Sequence, residues 1–460
     1  MLILFPNDQL VSQATNIEYR QAIIAPSDPV LSPSYHWETP RTNLYGSVIK
    51  SAQGYEMFYQ CGNALRVGYA HSEDGINWHK PLVNKTWLKA PADKILIAPD
   101  EKETSNNNAL GTTTMTNLVA GCHMPSVIHE PNSREPYKMF AFGDGGYRTY
   151  SSENGKYFTD NAEEPAIALL TYKNPTTEKV WCSDVAPCFK DKEGYTAMVK
   201  TYEVDDEGRT RRCVGKSTSN DFKQWSETKT LWIPSKDEDR IAQARGYHWA
   251  DFYGLCPFQY GDGYLGLLWL FEIDHELPNG TNLGKIEIFL AYSPDGDSWR
   301  RISDKPLIPW DLNFGASGGM ITTPGAPVFE DTEIKLYYSD SNYEHGMYER
   351  DYTKEVEDPT WVTRCARLPK ERLVAACSNS GSLQLGPMQL QGSKIRVNLA
   401  AKDGWLRLDY YTNEALSATQ LIENIDDTDY FLELPVQGET TLALTFNQAA
   451  LYALEVVNDG

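Results

Sequence analysis

Three carboxylates in this 460-residue chain stand immediately before strand-like runs and beside groups able to tune them. Glu38 lies in HWETPR, with Trp37 next to it and Arg41 three residues on. Asp184 opens DVAPCFKD, and Asp251 follows Arg245, His248 and Trp249 in RGYHWADFY. Cleavage of a glycosidic bond uses two carboxyl groups, one protonated to assist the leaving oxygen and one ionised as base or nucleophile. They lie about 5–5.5 Å apart for retention and about 6.5–9.5 Å for inversion. Burial or a second carboxylate raises the acid's pKa, and an arginine keeps its partner ionised. On this reading Asp184 is the acid and Glu38 the base or nucleophile. Asp251 is a third carboxylate that tunes the acid or holds a sugar hydroxyl. Trp37, Arg41, Asn43, Asn107, His123, Arg245, His248, Trp249 and Asp311 are the expected substrate-binding residues. Rings stack on sugar faces, and amide, imidazole and guanidinium groups bond hydroxyls. Each has a structural reading too: a carboxylate capping a turn, a histidine satisfied in the core, an aromatic packed on a sheet.

The elements that must position these residues are strands in a repeated unit. HSEDGINW and YSPDGDSW share Ser-x-Asp-Gly-x-x-Trp, and SSENGKYF and TSNDFKQW are relaxed copies, with serines at 72, 152, 219 and 293. Asp-Gly and Asn-Gly are hairpin-turn pairs, because Gly takes φ > 0 and Asp or Asn bonds the local backbone. Each copy closes a set of strand runs, as in NLYGSVIK, GYEMFYQ and RVGYAHS. A fifth set, TPGAPVFED, IKLYYSD and WVTRCARL, lacks the tip. One such sheet cannot bury both faces, but several arranged radially can. The expected fold is all-β, a five-bladed β-propeller over residues 36–374, preceded by a lead-in at 1–35 that supplies an edge strand. After ARLPKERLVAA, short alternating strands predict a β-sandwich over 375–460. Sites of propellers lie at one end of the channel, where the innermost strands begin, and that is where the candidate residues stand.

Composition narrows the chemistry. A formal net charge of −21 excludes nucleic acid and anionic membrane as expected partners. No run is apolar enough to span a membrane, and the first residues do not read as a secretory signal. The eight cysteines form no CxxC pair, so a zinc knuckle is not expected, and reduced cysteines in a cytoplasmic protein are. P-loop, dinucleotide-glycine, nucleophile-elbow and His-Glu-x-x-His patterns are missing. No cofactor or metal is expected. The expected partner is an oligosaccharide; self-association is left open.

TNLYGSVIKSAQGYEMFYQ resembles the first-blade segment of the invertase and levanase glycosidases. DVAPCFKDKEGYTAM resembles the third-blade acid segment that those enzymes share with the arabinanase and xylosidase propellers. The order propeller then sandwich is similar to the invertase-like architecture. That resemblance implies a glycoside hydrolase, exo-acting on oligosaccharides, with Asp184 at the acid position. The family's Asn-Asp-Pro-Asn-Gly nucleophile motif is replaced by Thr42-Asn43-Leu44-Tyr45-Gly46, its Arg-Asp-Pro by Cys122-His123-Met124-Pro125, and its Glu-Cys by Asp184-Val185-Ala186-Pro187. Two other readings therefore stand beside hydrolysis: a glycoside phosphorylase or transglycosidase, with Arg41 and Arg245 as phosphate ligands, and a non-catalytic carbohydrate-binding propeller.

Overall fold

The computed structural model describes residues 1–62, 64–89, 111–175, 178–277, 281–310, 313–315, 318–347 and 359–458. Among them the chain is nearly all β, with one α-helix, Lys236–Ala244. The repeated runs form successive antiparallel groups. Thr42–Ser51, Gly54–Cys61, Arg66–Ser72 and Leu118–Ala120 make the first, in that spatial order. His123–His129, Tyr137–Gly143 and Gly146–Ser152 make the second, with two short strands on its outer side. Cys188–Asp191, Gly194–Val204, Thr210–Ser219 and Lys229–Trp232 make the third, and Trp249–Tyr260, Gly263–Glu276, Asn282–Ser293 and Arg300–Arg301 the fourth. The last group centres on Glu333–Ser341, between Met320–Thr322 and Trp361–Pro369, and is joined to the fourth by a parallel bridge from Ile286 to Met320. The leading strands are neighbours: Thr42–Ser51 lies beside His123–His129, that strand beside Cys188–Asp191, that one beside Trp249–Tyr260, and Met320–Thr322 lies beside Thr42–Ser51.

The repeated tips share one hydrogen-bond design. The serine Oγ accepts from the backbone N–H of Gly75, Gly155, Phe222 and Gly296 in the four copies. The Asp or Asn oxygen accepts from N–H groups further round the turn. The fourth residue of all four copies has positive φ, including Phe222 at 66°. Phe222 tolerates a glycine's conformation because its ring is buried against Tyr195 and Trp225. The tryptophan of three copies folds back, its Nε1 donating to the carbonyl of the turn residue three before it. These tips are structural. Their aspartates stay ionised because backbone N–H groups hold the carboxyl down, to about 2 for Asp295.

The C-terminal strands alternate buried and exposed residues as a half-buried sheet must. They form one nine-stranded hydrogen-bonded sheet with partners from the start of the chain. Lys394–Thr412 pairs with Ala449–Val457 through its first half and with Gly438–Asn447 through its second, while Ala415–Glu433 follows it along its length. The lead-in supplies more than an edge. Leu2–Leu4, Val11–Thr15 and Glu18–Gln21 join the C-terminal sheet, and Pro29–Leu31 pairs with Thr363 and Arg364 of the last group. The reason is burial: Ile3, Leu4 and Phe5 enter the core.

Candidate functional site

Asp184 sits between Cys182 and Cys188, where the third group's leading strand begins. Its neighbours are pinned. Ser183 Oγ donates to the Lys200 carbonyl, and the Val185 carbonyl accepts from the Lys200 N–H at 2.8 Å and from Tyr147 Oη at 3.2 Å. The Asp184 side chain itself is 39% accessible and forms an ion pair with Lys200 Nζ, whose side chain is only 5% accessible. Burial alone would push the Asp184 carboxyl up, but Lys200, His123 and Arg212 outweigh it and hold the carboxyl below its ordinary range. Burial conversely lowers Lys200, with Arg212 adding to that and Asp184 opposing it.

Backbone irregularities aim further groups at this carboxylate. The strand pairing shifts register between Asn43 and Ser47, between His123 and Ser126, and between Phe252 and Gly254. Such bulges re-aim side chains, and they lie at Tyr45, His123 and Tyr253, whose rings neighbour Asp184 electrostatically. Tyr45 stacks on Trp269 at 5.5 Å and meets His123 edge-on at 5.5 Å. Tyr253 meets His345 at 5.3 Å. Gly46 is required here, because a Cβ on it would lie 1.8 Å from the Phe58 carbonyl oxygen. Gly46→Ala is expected to cost about 1–3 kcal/mol or more by forcing the strands apart and to move Tyr45. Thermal unfolding checks this: an unchanged Tm would refute the close approach.

Two histidines flank the carboxylate as neutral bases. His123 Nδ1 lies 2.9 Å from the Ala64 carbonyl and His345 Nδ1 2.7 Å from the Asn282 carbonyl. A carbonyl can only accept, so both rings carry the proton on Nδ1 and leave Nε2 as the acceptor. Burial lowers both pKa values, that of His345 to about 4 with help from Arg212.

The expected acid–base pair is not brought together. Glu38 is fully buried on the other side of the first group. It accepts from the backbone N–H groups of Ser34 and Tyr35, from Tyr59 Oη and Asn117 Nδ2, and from Lys80 at 2.7 Å. Both oxygens of this carboxylate are engaged, and it latches the 34–41 turn. Trp37 belongs to the same core, its Nε1 bonded to Asn117 at 2.9 Å. Arg41 lies over the Trp361 ring at 5.4 Å, its charge reaching Tyr45 and His123. Asn43 is fully buried nearby, with neither amide atom bonded to protein.

Asp251 is likewise fully buried. It accepts from Arg211 Nε at 2.9 Å and Arg212 Nη1 at 3.1 Å. Through Arg211 it joins Asp239, carried by the helix that Ser235 and Glu238 cap. Its role at the site is to position Arg212. Arg245 caps the helix C-terminus and binds Glu287 and Glu272. His248 is exposed, and Trp249 packs under Arg209. Asn107 and Asp311 lie outside the described residues.

Reasoning from sequence missed Lys200, Arg212, Tyr45, Tyr253, Trp269 and His345. A signal for the first two was present: a lysine and an arginine inside the strand runs TAMVKTY and TRRCVG, where a buried face calls for apolar residues. Among the described residues, no group of three or more His, Cys, Asp or Glu is placed to hold a metal ion, and no helix is long and apolar enough to cross a membrane.

No protein-family model and no curated protein matches the chain. Solved structures similar to it include glycoside hydrolases of propeller fold. One is a family-43 arabinoxylan arabinofuranohydrolase from Bacillus subtilis, at 10% identity and TM-score 0.44, covering 94% of this chain and 99% of that one. Another is the catalytic domain of a family-62 α-L-arabinofuranosidase from Coprinopsis cinerea, at 11% identity and TM-score 0.45, covering 75% of this chain and 97% of that one. An N-acetylgalactosamine deacetylase from F. plautii stands at 12% identity and TM-score 0.45, covering 77% and 96%. These are distant likenesses, and the functional reading rests on the residues themselves.

Proposed function

We propose that this chain is a glycoside hydrolase, exo-acting on oligosaccharides, built as a five-bladed β-propeller followed by a C-terminal β-sandwich. The observation that carries the reading is Asp184: a carboxylate held ionised by Lys200, accessible, and set among Tyr45, Tyr253 and Trp269 with two neutral histidines beside it. The rings themselves are buried in the core, so a sugar would meet the polar groups of the cluster, which bond its hydroxyls. The low pKa changes the proposed role of Asp184 from acid to base or nucleophile, because an ionised group at neutral pH accepts the proton or attacks. The neighbouring leading strands support the propeller, and the division of Lys394–Thr412 between two partner strands supports a layered C-terminal domain. Cysteines that are all unpaired fit a reducing cytoplasm.

The test is product release from a broad oligosaccharide panel, with Asp184→Asn beside the wild type and phosphate present or absent. Expected is release of single sugars, independent of phosphate and reduced by about 10³-fold or more in the variant, which keeps its Tm. Full activity in Asp184→Asn would remove Asp184 from the chemistry. The second reading, a binding propeller, has its own support: among the described residues, no second carboxylate figures among the strongest influences on Asp184. Thermal protection by a glycan without turnover would favour it.

A further inference from the structure

Arg212 acts on Asp184 by its charge, and its own setting is that of a ligand clamp. It stands on Thr210–Ser219 opposite Tyr202 and is 6% exposed. Nη1 is spent twice, on Asp251 Oδ2 at 3.1 Å and on Asn282 Oδ1 at 2.9 Å. The guanidinium lies 4.9 Å from the Trp181 ring centre and 5.2 Å from that of Phe271. Those contacts fix the plane and the rotation of the fork. Nε and Nη2 then make no hydrogen bond to any described residue. Neither atom is among the buried polar atoms left without a partner, so this edge of an otherwise buried cation faces solvent and offers two donors to a ligand.

The charges around it say which kind. Arg212 acts on Asp184, Lys200 and His345, so it belongs to the same cluster. Arg41 approaches from the Tyr45 side. The accessible anion there is Asp184, already paired with Lys200, and Asp251 is divided between Arg211 and Arg212. Arg41, Lys200 and Arg212 thus gather around Asp184 in a chain with a net charge of −21. A planar fork with two parallel donors matches a planar carboxylate in bidentate fashion, whereas a neutral hydroxyl uses one donor.

We propose that Arg212, through Nε and Nη2, binds the carboxylate of a hexuronic acid residue, so that the substrate is an acidic oligosaccharide. This deepens the hydrolase reading, since it takes the Asp184 cluster as the sugar pocket. Asp251 and Asn282 are positioning residues for the clamp.

The test is equilibrium binding to the full chain by calorimetry. The probes are glucuronate and galacturonate against glucose and galactose, with inorganic phosphate and sulfate as separate arms. Expected for the wild type is uronate binding at least about tenfold tighter than the neutral parent, a difference of about 1.4 kcal/mol. The preference should shrink in about 1 M salt, where the screening length falls to about 3 Å. Arg212→Lys keeps the charge but loses the fork, and should lose about tenfold in uronate affinity while neutral-sugar affinity changes little. Equal binding of uronates and neutral sugars by the wild type overturns the proposal, whether or not the variant folds. Phosphate or sulfate binding as tightly as uronate overturns the carboxylate assignment. Uronate binding without turnover would sink the hydrolase reading alone; turnover of neutral chains without uronate preference would sink this one alone.

Discussion

Replacing Asp251 with alanine is expected to destabilise the protein by about 3–5 kcal/mol, because it removes a buried carboxylate shared by two buried guanidinium groups. Asp251 is wholly inaccessible and divides its oxygens between Arg211 and Arg212. Arg211 continues to Asp239 at 2.8 Å and Asp205 at 3.2 Å, and Arg209 joins Asp205 and Asp239. The Asp239 carboxylate also accepts from the Ala250 N–H at 3.2 Å, tying the helix to the strand that carries Asp251. Few groups in the network can turn to water for compensation. Asp251→Asn keeps the shape and an acceptor, so its cost should be smaller. The denaturant midpoint of tryptophan fluorescence measures both. A loss below about 1 kcal/mol for Asp251→Ala would show the network to be dispensable, given what breaking a buried pair ordinarily costs.

The second large effect is a pH dependence set by Glu272 and Glu287, carboxylates on adjacent strands of the fourth group that are both fully buried. Arg245 binds Glu287 through both terminal nitrogens, one contact at 2.8 Å, and the Trp310 N–H adds a bond at 2.9 Å. Glu272 meets Arg245 Nη1 at 3.3 Å, and neither of its oxygens is hydrogen-bonded to a described residue. Burial, and then the charge of Glu287, push Glu272 from its ordinary 4.5 up to about 8. The folded state therefore binds one more proton than the unfolded state between those values. That contribution is fully present below about 4.5 and is lost as pH rises through about 8. Stability is expected to fall by about 2–5 kcal/mol across this window. Glu272→Gln, which mimics the protonated form, should flatten the slope and be the more stable protein at pH 9. Parallel pH profiles of the two proteins would show that Glu272 is not the proton site.

The contrast between Glu38 and Asp184 shows what sequence could and could not supply. Both stood before a strand and beside tuning residues. Glu38 became a latch because the chain turns tightly through Ser34 and Tyr35 and presents their N–H groups to it, a geometry that the neighbouring Arg41 did not reveal. Asp184 stayed accessible because Ser183 and Val185, pinned on either side, leave it the outward direction. Asp251 reads in the sequence as a carboxylate that tunes the acid or holds a sugar hydroxyl; in the fold it is buried and paired with Arg211 and Arg212, on a different strand.

The sequence by itself determined the strands and the tips that join them. Alternation at period two and a Ser-x-Asp-Gly turn are local codes, written by side chains within a few residues of one another. The code was firm enough that Phe222 takes the left-handed conformation in glycine's place. Only the tertiary structure decided which side chains meet. Tyr45, His123, Asp184, Lys200, Arg212, Tyr253 and His345 come from different groups and converge where the leading strands begin. Three strand irregularities aim Tyr45, His123 and Tyr253, and the ionisation of the cluster follows from burial and from each other's charge. Those quantities depend on distances across the core, and no interval along the chain encodes them.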